Sequence, residues 1–119
     1  MKTYKDLIVW QKSFSLVKEV YTITKDFPKS EIYGLFSQMR RSAVSVPSNI
    51  AEGYCRNSKK EFLQFLRISF ASGAELETQI MLARSLDFIK NDNPEKAELL
   101  LEEVMKMLSA LMSKLKNNY

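Results

Sequence analysis

Apolar residues recur at alternating intervals of three and four positions along four separate stretches of this sequence. In the first stretch the series comprises Leu7, Trp10, Phe14, Val17, Tyr21 and Thr24, and the stripe is widened by Val9, Leu16, Val20, Ile23 and Phe27. Side chains with this spacing lie on one side of an α-helix, where they can bury an apolar stripe against other helices. The second stretch repeats the pattern in Met39, Ala43, Val46 and Ile50. The sequence therefore predicts amphipathic helices that pack on one another.

Four amphipathic helices joined by short connections pack as antiparallel neighbours. We therefore predict an all-α protein, an antiparallel up-down-up-down four-helix bundle that forms a single domain over residues 1–119. The helices are predicted at about residues 7–26, 31–52, 59–88 and 94–116.

Capping residues define the predicted helix ends. Ser30 is placed to cap the second helix, and Gly53 is placed to end it in a left-handed conformation. Ser58, with Glu61 three positions later, makes a capping box at the start of the third helix. Asn93 precedes a proline and is predicted to cap the fourth helix.

The residue inventory excludes several kinds of chemistry. Histidine is absent, and Cys55 is the single cysteine. Histidine-based triads, the Glu-x-x-His metal sites of helical bundles and an intrachain disulfide are thereby excluded. We expect a protein that is not an enzyme, with no catalytic residue, no metal site and no cofactor. The sequence also has no run of the ~18 apolar residues that a membrane span needs, so we expect a cytoplasmic protein with no membrane partner.

A polar stripe runs along the second predicted helix beside its buried face. Its residues are Gln38, Arg41, Ser45, Asn49 and Glu52, within an arc of roughly 80°. Glu77 projects from the apolar side of the third helix, where an unpaired carboxylate is costly. We predict that these six residues form a structural polar network in which Arg41 pairs with Glu77.

Positive charge is concentrated in the middle of the chain. The sequence has a net charge of +4, and between Lys29 and Arg67 there are seven basic and three acidic residues. The basic residues along the second helix and the start of the third are Arg40, Arg41, Arg56, Lys59, Lys60 and Arg67. Phosphates can meet these side chains together with a helix N-terminus, and Tyr54 offers a ring for stacking. We predict a nucleic-acid-binding surface; the alternative is a solvated face without a ligand.

A third face of the second helix combines apolar and small residues that a monomeric bundle leaves exposed. Its residues are Tyr33, Arg40, Val44, Pro47 and Ala51. Exposed faces of this composition usually mark protein interfaces. We predict a homo-oligomer whose subunits meet through this face.

Four sequence segments resemble a known protein family. They are D-L-I-V-W-Q-K (residues 6–12), F-P-K-S-E-I-Y-G-L (27–35), Q-M-R-R-S-A-V-S-V-P-S-N-I-A-E-G (38–53) and S-K-K-E-F-L-Q-F-L (58–66). They resemble the bacterial four-helix bundle proteins encoded in intervening sequences of 23S ribosomal RNA genes, often labelled ribosomal-protein-like. The match runs from about Tyr4 to Phe88, and the fourth helix matches only in pattern.

The resemblance implies an all-helical bundle with no known catalytic activity. The chain is also similar to the accessory proteins of diversity-generating retroelements, which assemble as barrel-shaped homopentamers. Those proteins use a basic surface to bind nucleic acid and a reverse transcriptase. On the matching positions of this chain, that surface would consist of Arg40, Arg41, Arg56, Lys59 and Lys60.

Residues and resemblance together lead to one expectation and one alternative. The expectation is a non-enzymatic, cytoplasmic homo-oligomer, a pentamer by resemblance, that associates with RNA or DNA and with a protein that processes nucleic acid. The alternative is an oligomeric protein-only scaffold or adaptor that binds no nucleic acid. Salt-dependent RNA binding distinguishes the two, because phosphate contacts weaken as salt rises.

Overall fold

The computed structural model describes residues 2–89 and 94–117, which are almost entirely helical. The four long helices are α1 (Ile8–Thr24), α2 (Leu35–Cys55), α3 (Lys59–Ser85) and α4 (Glu95–Asn117). Single turns of 3₁₀-helix at Tyr4–Asp6 and Lys29–Glu31 precede α1 and α2. No strand occurs in this part of the chain. The predicted all-α four-helix bundle is confirmed.

Each helix packs against the next one in the chain, and α4 packs against α1, so that the four helices close into a bundle. Polar contacts show that α2 and α3 are antiparallel. Ser42 donates a hydrogen bond to Glu75, and one turn further along α2 the Ser45 and Ser72 hydroxyls lie 2.8 Å apart. Residue numbers therefore increase along α2 where they decrease along α3. The ion pairs between α1 and α4 show that these two helices are antiparallel as well. The bundle measures 46 × 24 × 22 Å.

The core of the bundle uses the predicted stripe of α2. Met39, Ala43, Val46 and Ile50 are all fully buried. They divide between two apolar clusters, one at each end of the bundle. The buried residues of α3 and α4 that complete these clusters are Leu66, Leu76, Ile80, Ala83, Ala97, Leu101, Val104 and Leu108.

Helix α1 buries only part of the predicted stripe, namely Thr24 and the widening residues Val9, Leu16, Val20 and Ile23. Leu16 and Val20 are fully buried, whereas Phe14 and Tyr21 of the predicted stripe are 50% and 41% exposed. Both faces of α1 are apolar, so spacing alone does not identify the inner one. The face that is buried contacts both α2 and α4, and the aromatic face is left at the outer edge of the α1–α2 seam.

Both predicted ends of the second helix are wrong. The helix begins at Leu35 because residues 29–31 form a separate 3₁₀ turn, and the carboxylate of Glu31 accepts a hydrogen bond from the Leu35 amide at 3.1 Å. Gly53 does not end the helix, which continues to Cys55; Asn57 has the left-handed conformation, with φ of 58°. A glycine is needed at position 53 for close packing, since a Cβ there would lie 2.6 Å from the Cβ of Phe65.

The start of α3 agrees with the prediction, because the Ser58 hydroxyl accepts a hydrogen bond from the Glu61 amide at 3.2 Å. The helix ends at Ser85, three residues earlier than predicted, and Asp87 follows in a left-handed conformation with φ of 59°. The predicted cap of the fourth helix, Asn93, lies outside the described residues.

Candidate nucleic-acid interface

The structure divides the six basic residues predicted to form one surface. Arg40 and Arg41 lie in the first half of α2, whereas Arg56 follows its last residue. Fifteen residues of helix separate Arg41 from Arg56, a rise of roughly 22 Å. The prediction of a single basic surface therefore needs correction, and each part has a different environment.

Arg40 is engaged within the chain, between α1 and α2. Its guanidinium carbon lies 4.0 Å from the ring centres of both Tyr21 and Phe36. The same group donates hydrogen bonds to the Thr24 hydroxyl at 2.9 Å and to the Tyr21 carbonyl at 3.1 Å. Because two hydrogen bonds and two rings hold its guanidinium in place, Arg40 is a structural residue of the α1–α2 seam.

Arg41 lines a polar cleft between α2 and α3. The cleft has a volume of about 450 Å³, and its other lining residues are Gln38, Ser42, Ser45, Ser72 and Glu75. Beneath it, the Asn49 amide donates to the Ser45 carbonyl at 2.8 Å and to the Ser45 hydroxyl at 2.9 Å. Of the five α2 residues predicted to form the polar network, Ser45 and Asn49 are hydrogen-bonded to each other, and Ser45 also contacts Ser72 of α3. Gln38 and Arg41 line the cleft, and Glu52 pairs with Arg56 instead.

Glu77 does not belong to that network, and the predicted Arg41–Glu77 pair is wrong. The side chain of Glu77 is exposed and lines a groove between α3 and α4 with Glu98 and Glu102. Among the ion pairs of residues 2–89 and 94–117, none joins Arg41 to Glu77. Helix α3 turns Glu77 towards α4, whereas α2 lies on its other side.

Arg56 is held at the junction of α2 and α3. Its guanidinium contacts Glu52 at 2.8 Å and Glu61 at 3.8 Å, and it lies 5.0 Å from the ring centre of Phe65. The hydrogen bond that Arg56 donates to the Glu52 carboxylate raises the pKa of Arg56 above its ordinary value. Arg56 therefore carries a charge that two carboxylates already balance.

Lys60 and Arg67 line a basic groove at the same end of the bundle. The groove lies between the start of α3 and the end of α4, has a volume of about 420 Å³, and is completed by Leu63, Gln64 and Lys116. Its lining contains three cationic side chains and no carboxylate. No carboxylate of the described residues lies within 4.0 Å of these three cations. We call Lys60, Gln64, Arg67 and Lys116 the basic groove.

Charge is distributed unevenly between the two halves of the bundle. The half that holds the basic groove comprises residues 2–15, 46–71 and 107–117, with nine basic and three acidic residues. The remaining described residues include eight basic and ten acidic ones. The net positive charge of the protein is therefore located at one end, where Lys59 and Lys114 also lie exposed beside the basic groove.

Tyr54 is not available as a stacking surface of the kind predicted. Its ring is half-buried and packs edge-on against Phe62, with ring centres 5.9 Å apart and planes at 90°. The ring of Phe65 lies under the guanidinium of Arg56. The aromatic residues at the junction of α2 and α3 thus pack within the fold.

The predicted oligomer face largely coincides with an apolar groove on the opposite side of the bundle. Val44, Pro47 and Ala51 of α2 line it together with Tyr4, Trp10, Phe14 and Val17 from the beginning of the chain. Its volume is about 350 Å³. Tyr33, which is 93% exposed, lies before α2 and does not line the groove, and Arg40 packs internally as described above. We call this second feature the apolar groove.

Comparison with known proteins identifies the family. The model of the family described as 23S rRNA-intervening sequence protein matches residues 5–110. The chain belongs to this family. No curated protein matches it.

One solved structure has the same fold as this family member. It is described as a protein of unknown function from the S23 ribosomal protein family of Bacteroides thetaiotaomicron VPI-5482. The TM-score is 0.78 at 21% sequence identity, and the match covers 89% of this chain and 96% of the other. Because the identity is low, the likeness supports the fold alone.

Two further observations concern metal sites and membrane spans. Within residues 2–89 and 94–117, no three Cys, Asp or Glu side chains are grouped so that they could hold a metal ion. In the same residues, no helix has the length and apolar character needed to cross a membrane.

Lys116 is the residue of the basic groove that the sequence-based prediction omits. The sequence does contain a signal, since Lys114 and Lys116 form a basic last turn of α4. In an antiparallel bundle the end of α4 lies beside the start of α3, so the last turn of α4 joins the cations of α3. On its own, a basic last turn is explained equally well by its favourable interaction with the helix dipole, which is a local effect.

Proposed function

We propose that this protein is a non-enzymatic helical bundle that binds RNA, or an RNA-containing nucleoprotein, through the basic groove. The observation that supports the proposal is a groove that has no carboxylate in its lining and holds three cations, Lys60, Arg67 and Lys116, none of which forms an ion pair with the described residues. A cation that is not paired with a carboxylate can bind a phosphate without first breaking an ion pair. Binding also releases the counterions that surround the nucleic acid. RNA is the favoured polyanion because the family description names 23S rRNA and the similar structure comes from a family described as ribosomal.

The expected binding is driven by charge and weakens with salt. Three phosphate contacts correspond to a slope of roughly −2 to −3 in a plot of log affinity against log salt concentration, for each protomer that is engaged. Lys59 and Lys114 increase the magnitude of this slope if they also reach phosphates. Backbone contacts of this kind position a nucleic acid without identifying its sequence.

The proposal is tested by the fluorescence anisotropy of a labelled, hairpin-containing RNA titrated with the protein at 50 to 200 mM KCl. We expect saturable binding at the lowest salt concentration and a steep loss of affinity as salt rises. Lys60→Gln should weaken binding and reduce the magnitude of the slope by about 1. The control is Arg40→Ala, which should leave the slope unchanged because Arg40 is engaged within the fold. Absence of saturable binding at 50 mM KCl would contradict the proposal.

The second part of the proposal is that the protein is a homo-oligomer. It is supported by the apolar groove, where Phe14 is 50% and Val44 is 40% exposed. Contiguous apolar surface of this kind is characteristic of interfaces. A pentamer, and a partner protein that processes nucleic acid, rest on the resemblance to retroelement accessory proteins. A cytoplasmic location is likewise part of the proposal.

Sedimentation velocity tests the oligomer. We expect a species several times heavier than the 13.8 kDa chain, and Val44→Lys should convert it to the monomer. Leu99→Lys is the matched control, since Leu99 is 66% exposed and lies on α4, away from the apolar groove. A wild-type protein that sediments only as a 13.8 kDa species would contradict the homo-oligomer.

The alternative function is an oligomeric protein-only scaffold or adaptor, which the apolar groove also supports. The two functions predict different results for the same two experiments. A scaffold would sediment as an oligomer and would show no salt-dependent binding of RNA. In that case Lys60→Gln would change neither measurement.

A further inference from the structure

We infer that the basic groove recognises double-stranded RNA by its sugar-phosphate backbone, and that it does not read single-stranded bases. This inference rests on the proposed RNA binding and specifies its ligand. In the inferred complex, phosphates are bound by Lys60, Arg67 and Lys116, and the side-chain amide of Gln64 forms a hydrogen bond with a ribose 2′-hydroxyl.

The first support for this inference is that, among residues 2–89 and 94–117, no aromatic ring lines the basic groove. Proteins that bind single strands combine a cationic groove with aromatic side chains on which the bases stack. Besides its cations, the basic groove is lined by Leu63 and Gln64. The aromatic side chains with large exposure, Phe14, Tyr21 and Tyr33, belong to α1 or to the segment before α2. The described lining of the basic groove therefore offers a single strand contacts for its phosphates but no ring on which its bases can stack.

The second support is the rigid spacing of the cations. Lys60 and Arg67 are separated by two turns of α3, a rise of about 10.5 Å along the helix axis. Lys116 approaches from α4, a second helix of the same bundle. A duplex presents phosphates of both strands in a fixed geometry, at about twice the charge per unit length of a single strand. A flexible strand must be ordered before it can satisfy the same three side chains.

The third support is the position of Gln64. It lies one turn after Lys60 and one turn before Arg67 on the exposed side of α3, within the lining of the basic groove. Its amide forms no hydrogen bond with the described residues. An amide offers both donors and an acceptor, and the ribose 2′-hydroxyl is likewise a donor and an acceptor. Duplex RNA is recognised mainly through such hydroxyl and phosphate contacts across its shallow minor groove.

The test compares three labelled 20-mers by fluorescence anisotropy with the full chain at 50 mM KCl. They are an RNA duplex, one of its strands designed to lack self-pairing, and a DNA duplex of the same sequence. We expect the RNA duplex to bind at least tenfold more tightly than the single strand and about threefold more tightly than the DNA duplex. A second RNA duplex of shuffled sequence should bind within twofold of the first.

Gln64→Leu tests the assigned hydroxyl contact. It should reduce the affinity for the RNA duplex about threefold and leave the affinity for the DNA duplex unchanged. Gln38→Leu is the matched control, because Gln38 is also exposed but lies in the polar cleft. Equal losses on RNA and DNA duplexes would overturn the role of Gln64.

The outcomes separate this inference from the function on which it rests. A single strand that binds as tightly as the duplex overturns duplex recognition, while RNA binding through the basic groove stands. Absence of binding to all three nucleic acids at 50 mM KCl overturns both.

Discussion

The two ends of the bundle contain similar numbers of basic residues but use them differently. At the end that holds the basic groove, Lys60, Arg67 and Lys116 contact no carboxylate of the described residues. At the other end Arg84 pairs with Glu98 and Lys96 pairs with Glu19, at 3.4 and 3.7 Å. The two ends differ in their acidic residues, three against ten, rather than in their number of cations. The end that is suited to bind a polyanion is the one with a groove lined by three cations and no carboxylate.

Arg40 and Arg67 illustrate the same difference for one residue type. Arg40 stacks on two rings and donates two hydrogen bonds, so that its guanidinium is a packing element of the α1–α2 seam. Arg67 is exposed in the basic groove. An arginine can therefore contribute either to stability or to a binding surface, and its contacts decide which.

The largest expected effect on stability concerns the junction that positions the basic groove. Gly53→Ala places a Cβ 2.6 Å from the Cβ of Phe65, which cannot rotate away because it is bonded to the backbone of α3. Overpacking of this kind costs about 1–3 kcal/mol. We expect a loss of that size in the free energy of unfolding, measured by urea denaturation.

The control for Gly53→Ala is Gly73→Ala, in the middle of α3. There the added Cβ meets the Sδ of Met105, a flexible side chain that can move, while alanine gains helix propensity of up to about 1 kcal/mol. A loss of unfolding free energy for Gly73→Ala as large as that for Gly53→Ala would contradict the account that α2 and α3 approach unusually closely at Gly53.

The next effect separates the two uses of positive charge. Arg40→Ala should lower the free energy of unfolding by about 1–2 kcal/mol, because two cation–π contacts and two hydrogen bonds are lost. Lys60→Ala should change it by less than about 0.5 kcal/mol, since Lys60 is exposed and unpaired. Both values come from urea denaturation. If Lys60→Ala were as destabilising as Arg40→Ala, the distinction between structural and free cations would fail.

A smaller effect is expected from the polar contacts between α2 and α3. The Ser69 hydroxyl is fully buried and donates to the Val46 carbonyl at 2.7 Å, beside Pro47. Ser69→Ala should cost about 0.5–1.5 kcal/mol, the usual net value of one hydrogen bond. Ser72→Ala, which removes the partly buried contact with Ser45, should cost less. The reverse order in thermal or urea denaturation would contradict this account of the seam.

The smallest effect is a dependence on pH at the basic end. Backbone hydrogen bonds from Lys2 and Thr3 lower the pKa of Asp6, so its carboxylate is favoured in the folded state. This contribution is present above the unfolded value of about 3.9 and is lost as pH falls through the lower folded pKa. An NMR titration should show the Asp6 carboxyl titrating below that value. An Asp6 pKa at or above it would contradict the capping role.

Most of the fold was predictable from the spacing of apolar residues. The buried stripe of α2 agrees with the structure because its apolar residues follow helical spacing on one face. The Ser58 cap agrees because it depends on a hydrogen bond to a residue three positions away. The part of the wide α1 stripe that lies innermost was not predictable, since both faces of the helix are apolar and tertiary packing chooses between them. Gly53 was misassigned because glycine serves equally well as a helix end or as a site of close approach.

The candidate site was predictable in part. Lys59, Lys60 and Arg67 were identified by local charge density, and the structure places them at one end of the bundle. Arg40 and Arg41 are adjacent in sequence but face α1 and α3 respectively, which only the packing of α2 reveals. Lys116 is 49 residues from Arg67, and it joins the basic groove because α3 and α4 are antiparallel.

The central claim is that free cations at one end of the bundle bind RNA. It is tested most directly by comparing two charge-matched double variants, Lys60→Gln with Arg67→Gln and Arg84→Gln with Lys96→Gln, for affinity to an RNA duplex across 50 to 200 mM KCl. We predict that the first variant loses at least tenfold in affinity at 50 mM KCl and that the magnitude of its salt slope falls by about 2. The second should stay within about twofold of the wild type. Equal losses for the two variants would show that net charge, and not the basic groove, governs binding.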